Sequence, residues 1–382
     1  MTSQQQSAAD GGAALEFHAS GIAGTEEVLC EELRELGLPS VRFNRGGIPF
    51  RGTWRDGWRA CLQSRIAQRI HVLLARFPAP TPEMLYDGVR DAAWAAHLTI
   101  AQTFSVRAVC LGSEITHSGF AALKVKDALV DHLRDSCGAR PDVSDDPDVQ
   151  FFLYLAGDKA ALYLDMSGEP LNKRGYRRDA GEAPLRETLA AAILRMSGWD
   201  RKTRLIDPMC GSGTIAIEAA LWAANVAPGL SRERFGFERW ASFGEDSARE
   251  LRELKGELRS ARAGQMPRII AGDVDAGVLA KAQVNARAAG VRLAFREQSV
   301  LDLQPDENAA LILTNPPYGV RLETEPLFPR KVMSAFCRLH GWRVGLLSGA
   351  PAYGLEMSPR PRLRLPLLNG DLPCEFLLYD IP

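Results

Sequence analysis

The sequence contains no C-x-x-C pair. Its seven cysteines (Cys30, Cys61, Cys110, Cys137, Cys210, Cys337, Cys374) are odd in number and widely spaced, which excludes a cysteine-built zinc site or dithiol redox centre. Reduced, mostly buried thiols and no resident metal are expected. Long apolar runs are missing too: Leu189 to Leu194 and Ala219 to Ala224 fall far short of the roughly 20 residues that span a bilayer. No membrane partner is expected. The net charge, 46 Lys plus Arg against 47 Asp plus Glu, is −1, so bulk charge names no polyanionic partner. The G-x-x-x-x-G-K-[ST] spacing of a phosphate-cradling loop is absent. The leader MTSQQQSAADGGAA has neither a basic stretch nor an apolar one, so it reads as a frayed polar tail (1–14), and a cytoplasmic location is expected.

What is present is a globular composition, 46% hydrophobic and 24% charged, over 382 residues, a length at which one core stops growing and two or three domains are expected. Charge is concentrated locally. Between Val41 and Pro80 eight arginines face a single acid, Asp56, and Lys173-Arg174-Gly175-Tyr176-Arg177-Arg178 places four cations in six positions. A charge run alone is ordinarily a solvated face. Two arginine-rich clusters together suit phosphate, because a guanidinium can donate two hydrogen bonds at once.

The spacing of Ile22, Val28, Leu29, Leu33 and Leu36, closed by Gly37, predicts a first helix, and a second is predicted through Trp58 to Arg69. Short extended pieces are expected at Val41–Phe43 and 47–52. Phe104 to Cys110, a helix at 124–133, and the runs 151–155 and 160–164 complete a small α+β pattern. Near Gly168 the texture changes, and a domain boundary is placed there. Beyond it short apolar runs at 204–206, 268–271, 291–295, 309–314, 343–347 and 375–379 alternate with helices at 214–224 and 277–289. This is the pattern of an α/β, mostly parallel, doubly wound Rossmann-like sheet. The polar stretch 226–267 is a helical insertion.

Ligands of such sheets bind at the carboxyl ends of the strands. Asp207-Pro208-Met209-Cys210-Gly211-Ser212-Gly213-Thr214 follows the first strand, with two glycines that let the backbone approach a ligand and an acid at the strand tip. The segment 211–216 also satisfies the looser G-x-G-x-x-A dinucleotide pattern, with Glu238 downstream, but an acid at the loop mouth repels pyrophosphate and suits a cationic amine. Gly272-Asp273-Val274-Asp275 follows the second strand, where a carboxylate can accept from ribose hydroxyls. Ser299-Val300-Leu301-Asp302 follows the third, where one can accept from an adenine amine. Singly, such acids are more often turn formers or helix caps. Together they describe a cleft for a neutral-to-cationic adenosine compound, S-adenosylmethionine rather than NAD. After the fourth strand stands Thr314-Asn315-Pro316-Pro317-Tyr318-Gly319. Proline stiffens this turn, the Asn315 amide and the Pro316 carbonyl can accept both hydrogens of a planar exocyclic amine, and Tyr318 can stack on its base. A rigid turn with a packed tyrosine is the plain alternative.

These motifs resemble the class I S-adenosylmethionine-dependent methyltransferases that act on amino groups. Together with Leu171 to Arg177 and Ala183-Pro184-Leu185-Arg186-Glu187, the chain is similar to the THUMP-domain RNA guanine-N2 methyltransferases. The resemblance implies a ferredoxin-like part (15–65), a THUMP domain (66–168) that captures RNA, and a methyltransferase domain (169–382). It implies a cofactor set of Asp207, Met209, Gly211, Gly213, Thr214, Asp273, Asp275, Asp302 and Asn315. Asn315, Pro316, Pro317 and Tyr318 would hold the target base, and Lys173, Arg174, Arg177 and Arg178 the RNA. The expected substrate is structured RNA, large-subunit ribosomal RNA first and transfer RNA second. N6-adenine nucleic-acid methylation and a non-catalytic RNA-binding role remain open. His71, His97, His117 and His132 all precede the catalytic part, and none of these four is a compelling base.

Overall fold

The computed structural model describes residues 14–178, 185–264, 266–306, 309–317, 327–349, 353 and 360–382. The polar leader (1–13), Ala183, Pro184, Tyr318 and Gly319 lie outside the described residues. Among those described, no helix is long and apolar enough to cross a membrane, and no cluster of His, Cys, Asp and Glu could hold a metal ion.

Two seven-stranded sheets organise the chain. The first carries β1 (Leu15–Ser20), α1 (Glu26–Glu35), β2 (Ile48–Gly52), α2 (Trp54–Gln63), β3 (Arg69–Pro78), α3 (Pro82–Arg90), β4 (Thr103–Leu111), α4 (Ser118–Cys137), β5 (Asp142–Val143), β6 (Val149–Ala156) and β7 (Lys159–Asp165). Its strand order is β2-β1-β3-β7-β6-β4-β5. Because β3 pairs with β1 on one side and β7 on the other, the parts expected to be ferredoxin-like and THUMP share one continuous sheet. Burial along β6 alternates with the period of two that a half-covered strand requires: Val149, Phe151, Leu153 and Leu155 are buried, and the residues between them are half-exposed. Thr53 and Asp56 form a reciprocal capping box that starts α2. The helix stops at Gln63 and Arg69 opens β3, earlier than the apolar spacing predicts, while Val41–Phe43 forms no strand.

The second sheet follows α5 (Glu187–Met196). It comprises β8 (Leu205–Asp207), α6 (Thr214–Ala223), α7 (Glu245–Ser260), β9 (Ile269–Asp273), α8 (Ala276–Ala288), β10 (Ala294–Glu297), β11 (Leu311–Thr314), α9 (Phe328–Cys337), β12 (Arg343–Ser348), β13 (Leu363–Asn369) and β14 (Leu372–Asp380). In the order β10-β9-β8-β11-β12-β14-β13, the first five strands are parallel and β14 lies antiparallel to both its neighbours. Central β8 is buried along its whole length, which is why it reads as an apolar run without alternation. Within 226–267, two 3₁₀ turns and α7 fold back onto the N-terminal region. Phe237 stacks on Trp58 at 5.9 Å, Arg55 pairs with Glu257 at 2.7 Å, and Leu251, Leu254 and Leu258 join the N-terminal core.

Candidate active site

The parallel register sets the site. β8 pairs with β9 so that Asp207 faces Ala271, and with β11 so that Ile206 faces Ile312. Asp273 and Asn315 therefore extend two residues beyond the level of Asp207, one on each side, at the carboxyl edge of the sheet. The loop after β8 is tied to the tip of β9 by two bonds: the Cys210 N–H donates to the Gly272 carbonyl (2.8 Å), and the Gly211 N–H donates to Asp273 Oδ2 (3.0 Å). The other Asp273 oxygen accepts from the Asp275 N–H at 3.1 Å. Gly211 and Gly213 have φ of +53° and +85°, conformations a side chain disfavours. A Cβ on Gly213 would sit 3.0 Å from Ala282 of α8, whereas one on Gly211 would enter open space, so the loop has a bare concave floor at Gly211.

Asp207 is 1% exposed. Burial pushes its carboxyl up to about 7, helped by the nearby Asp273 charge and opposed by the Thr314 hydroxyl and the Met209 N–H, which lies 3.4 Å from Oδ1. It is a carboxyl poised to ionise fully beside a cation. At the tip of β11 Thr314 is fully buried and Asn315 half-buried, and Asn315 Oδ1 has no hydrogen-bond partner among the described residues. A buried acceptor left unpaired costs free energy, so this one is an opening for a donor from outside the chain. The corner itself is held from behind: Tyr353, 1% exposed, donates its hydroxyl to the Pro317 carbonyl at 3.2 Å. Sequence spacing carried no signal for Tyr353, which reaches Pro317 only through the fold.

The remaining expected residues fall into different places. Met209 is half-buried against the core on one side of the sheet, and Thr214 opens α6. Asp275 is exposed and caps α8, its Oδ1 accepting from the Gly277 and Val278 N–H groups. Asp302 ends a 3₁₀ turn after β10 and is exposed.

The basic junction departs most from expectation. Arg174 is 2% exposed; it donates to the Leu171 and Arg65 carbonyls and lies 3.6 Å from buried Glu218. Arg177 donates to Glu187 (2.8 Å), the Leu185 carbonyl (2.8 Å), Ser212 Oγ (3.3 Å) and Thr214 Oγ1 (3.1 Å). Both guanidiniums are consumed inside the protein, against the expectation of four phosphate-binding cations. Only Lys173 and Arg178 are exposed, and Lys173 pairs with Glu169. Asn285 of α8 completes the junction, accepting from the Arg178 N–H at 2.9 Å and donating to the Ser212 carbonyl at 3.1 Å. Arg177 and Asn285 thus grip the glycine loop from behind. A linker cation and a mid-helix amide gave no spacing signal for this task.

A crossover sheet with an acid-tipped glycine loop and an Asn-Pro-Pro corner defines a methyltransferase domain. Family models agree along most of the chain: an RlmL ferredoxin-like domain matches residues 16–71, a THUMP domain 79–165, and an RMKL-like methyltransferase domain 174–348. The chain carries a ferredoxin-like part, a THUMP domain and a methyltransferase domain in that order. It is 40% identical to Ribosomal RNA large subunit methyltransferase K/L of Methylococcus capsulatus over 96% of this chain and 51% of that protein. The chain spans about half the length of the curated relatives it matches. A protein of Clostridium difficile 630 whose structure is solved superimposes with a TM-score of 0.88 at 27% identity, covering 97% of this chain and 99% of that one. The structure of SMU.472, complexed with SAH, gives 0.83 at 27% identity with coverage of 97% and 99%.

Proposed function

We propose that the chain transfers a methyl group from S-adenosylmethionine to the exocyclic N2 of a guanosine in structured RNA, with large-subunit ribosomal RNA as substrate. The unpaired Asn315 Oδ1 at the tip of β11 carries the reading, because a planar amine can satisfy it. The residues fit the donor: the Gly211 floor admits a close ligand, Asp207 offers a carboxylate to an ammonium, and Asp273 stands at the next strand tip. The donor, when bound, supplies an electrophilic methyl on a sulfonium centre. Asn315 and the Pro316 carbonyl accept the two amine hydrogens and so orient the nitrogen lone pair, and Tyr353 keeps the corner from giving way. As the nitrogen takes the methyl and the carbon–sulfur bond breaks, the positive charge passes from sulfur to nitrogen, which then releases a proton to water, so orientation supplies most of the rate and no strong base is required. Tyr318 is assigned to stacking on the base, and Lys173 and Arg178 to the flanking phosphates.

The reading is supported by the naming of the Methylococcus capsulatus relative and by the SAH-bound neighbour. Incubating the protein with methyl-labelled S-adenosylmethionine and either protein-free large-subunit ribosomal RNA or total transfer RNA tests it. Label in the ribosomal RNA is expected. Label confined to transfer RNA would move the substrate, and label in neither would refute the activity.

A further inference from the structure

Helix α6 begins at the glycine loop, and its residues from Thr214 to Leu221 are all buried, so it is packed as one rigid rod about 15 Å long. Its far end closes tightly. Asn225 adopts φ +52°, the Asn225 N–H donates to the Trp222 carbonyl (3.1 Å), and the Val226 N–H donates to the Leu221 carbonyl (2.9 Å), the paired hydrogen bonds that end a helix through a left-handed residue. The carbonyls at this ending meet a cation from the first sheet's part of the chain. Arg65, one of the eight arginines between Val41 and Pro80 and placed in the loop between α2 and β3, donates through Nη2 to the Val226 carbonyl (2.6 Å) and the Leu221 carbonyl (3.4 Å). Burial lowers its pKa to about 10, against the pull of Glu218 and Glu32, so the guanidinium stays charged near neutral pH and faces the negative end of the helix dipole.

Arg65 is itself aimed. Glu32 of α1, a buried carboxylate, accepts from the Ser64 hydroxyl (2.6 Å), the Arg65 N–H (2.9 Å) and the Ile66 N–H (3.3 Å), and Arg174 donates to the Arg65 carbonyl. One turn after Thr214, fully buried Glu218 accepts from the Tyr176 hydroxyl at 3.1 Å, with Arg174 3.6 Å away. The helix is thus gripped at three levels: by Arg177 at its start, by Tyr176 and Arg174 at Glu218, and by Arg65 at its end. This network is costly. Arg65 Nη1, Arg174 Nε and Glu218 Oε2 are buried without a hydrogen-bond partner among the described residues, a cost that an apolar cluster of similar volume avoids. An apolar cluster has no direction, however, whereas a guanidinium on two carbonyls fixes where the helix end lies.

We propose that Arg65 is a positioning residue for the methyl donor: by fixing the end of α6 from the first sheet's part of the chain, it sets the angle at which the helix presents the Gly211–Gly213 loop. Donor affinity then depends on how the two sheets are docked, and a change in that docking reaches the loop through one helix. The inference rests on the reading of this loop as the donor site.

Isothermal titration with S-adenosylhomocysteine and amide hydrogen exchange, both on the full chain well below its melting temperature, test the proposal. Arg65→Met keeps an unbranched stem but has no donor for the two carbonyls. It should weaken S-adenosylhomocysteine about fivefold and quicken exchange at the Gly211 and Gly213 amides, while the β6 amides stay as protected as in the wild type. Arg65→Lys, a single point charge at the same helix end, should recover part of both effects. Arg55→Ala is the control: it breaks another contact of the first sheet's part of the chain, Arg55 to Glu257 (2.7 Å), without touching α6, and should change neither readout. Affinity and loop exchange unchanged in Arg65→Met, or altered equally by Arg55→Ala, overturn the proposal. So does loss of β6 protection together with that of the loop, which would make Arg65 an anchor of the whole fold. If the wild-type chain binds no S-adenosylhomocysteine the donor reading falls, and exchange at the loop still decides whether Arg65 positions it.

Discussion

Asp207→Asn should make the protein more stable and a poorer binder of its donor. In the folded chain burial holds the Asp207 carboxyl at about 7, against an ordinary 3.8. Between those values the folded state keeps a proton that the unfolded state has released. This group's contribution to stability therefore falls as pH rises from about 4 to about 7, and it stays lost above that. The difference, 7 minus 3.8 or about 3 pH units, corresponds to a ceiling of ~4 kcal/mol at alkaline pH. Asparagine keeps the shape and can still accept from the Met209 N–H, but it never ionises. Thermal melts should show the variant above wild type by several degrees near pH 8.5, with the gap closing by more than half toward pH 5. Isothermal titration should show S-adenosylhomocysteine binding weakened about tenfold or more, through loss of the charge facing its ammonium. A stability gap independent of pH, or unimpaired binding, would refute the reasoning.

Asn315→Ala should leave S-adenosylhomocysteine binding within about twofold and reduce turnover by about a hundredfold or more, read as single-turnover methyl transfer. Tyr353→Phe removes one hydrogen bond to Pro317, worth about 1 kcal/mol, and should lower kcat several-fold with donor affinity unchanged. Arg177→Ala strands buried Glu187 and frees the glycine loop; denaturant melts should show a loss of about 3 kcal/mol or more, accompanied by weaker donor binding. Neutralising Lys173 and Arg178 together should lower the slope of log affinity for RNA against log salt by up to about 2, without a change in melting temperature.

The strand tips were legible in the sequence because each chemical group follows an apolar run: Asp207 after 204–206, Asp273 after 268–271 and Asn315 after 309–314. A buried parallel strand announces itself by lacking polar residues, and whatever polar group ends it stands at the crevice. The first sheet was less legible. β3 begins with Arg69 and carries His71 and Arg76, which breaks the apolar alternation and conceals a central strand. The junction was least legible. Arg174 and Lys173 are adjacent cations of the same appearance, but one is buried beside Glu218, 44 positions away, and the other is in solvent. Charge in a sequence does not reveal burial until the partner acid is placed. Asp275 adds a local case: an acid at the spacing expected for the donor also caps its helix.

The position of the transferred methyl group tests the central claim most directly. Ribosomal RNA labelled by the enzyme is digested to nucleosides and the product separated by liquid chromatography with mass detection. The label should co-elute with N2-methylguanosine and disappear with Asn315→Ala. Label on N6-methyladenosine, on a ring nitrogen or on ribose, or persistence of N2-methylguanosine in the variant, would contradict the assignment of the Asn-Pro-Pro corner as the grip on a guanine amine.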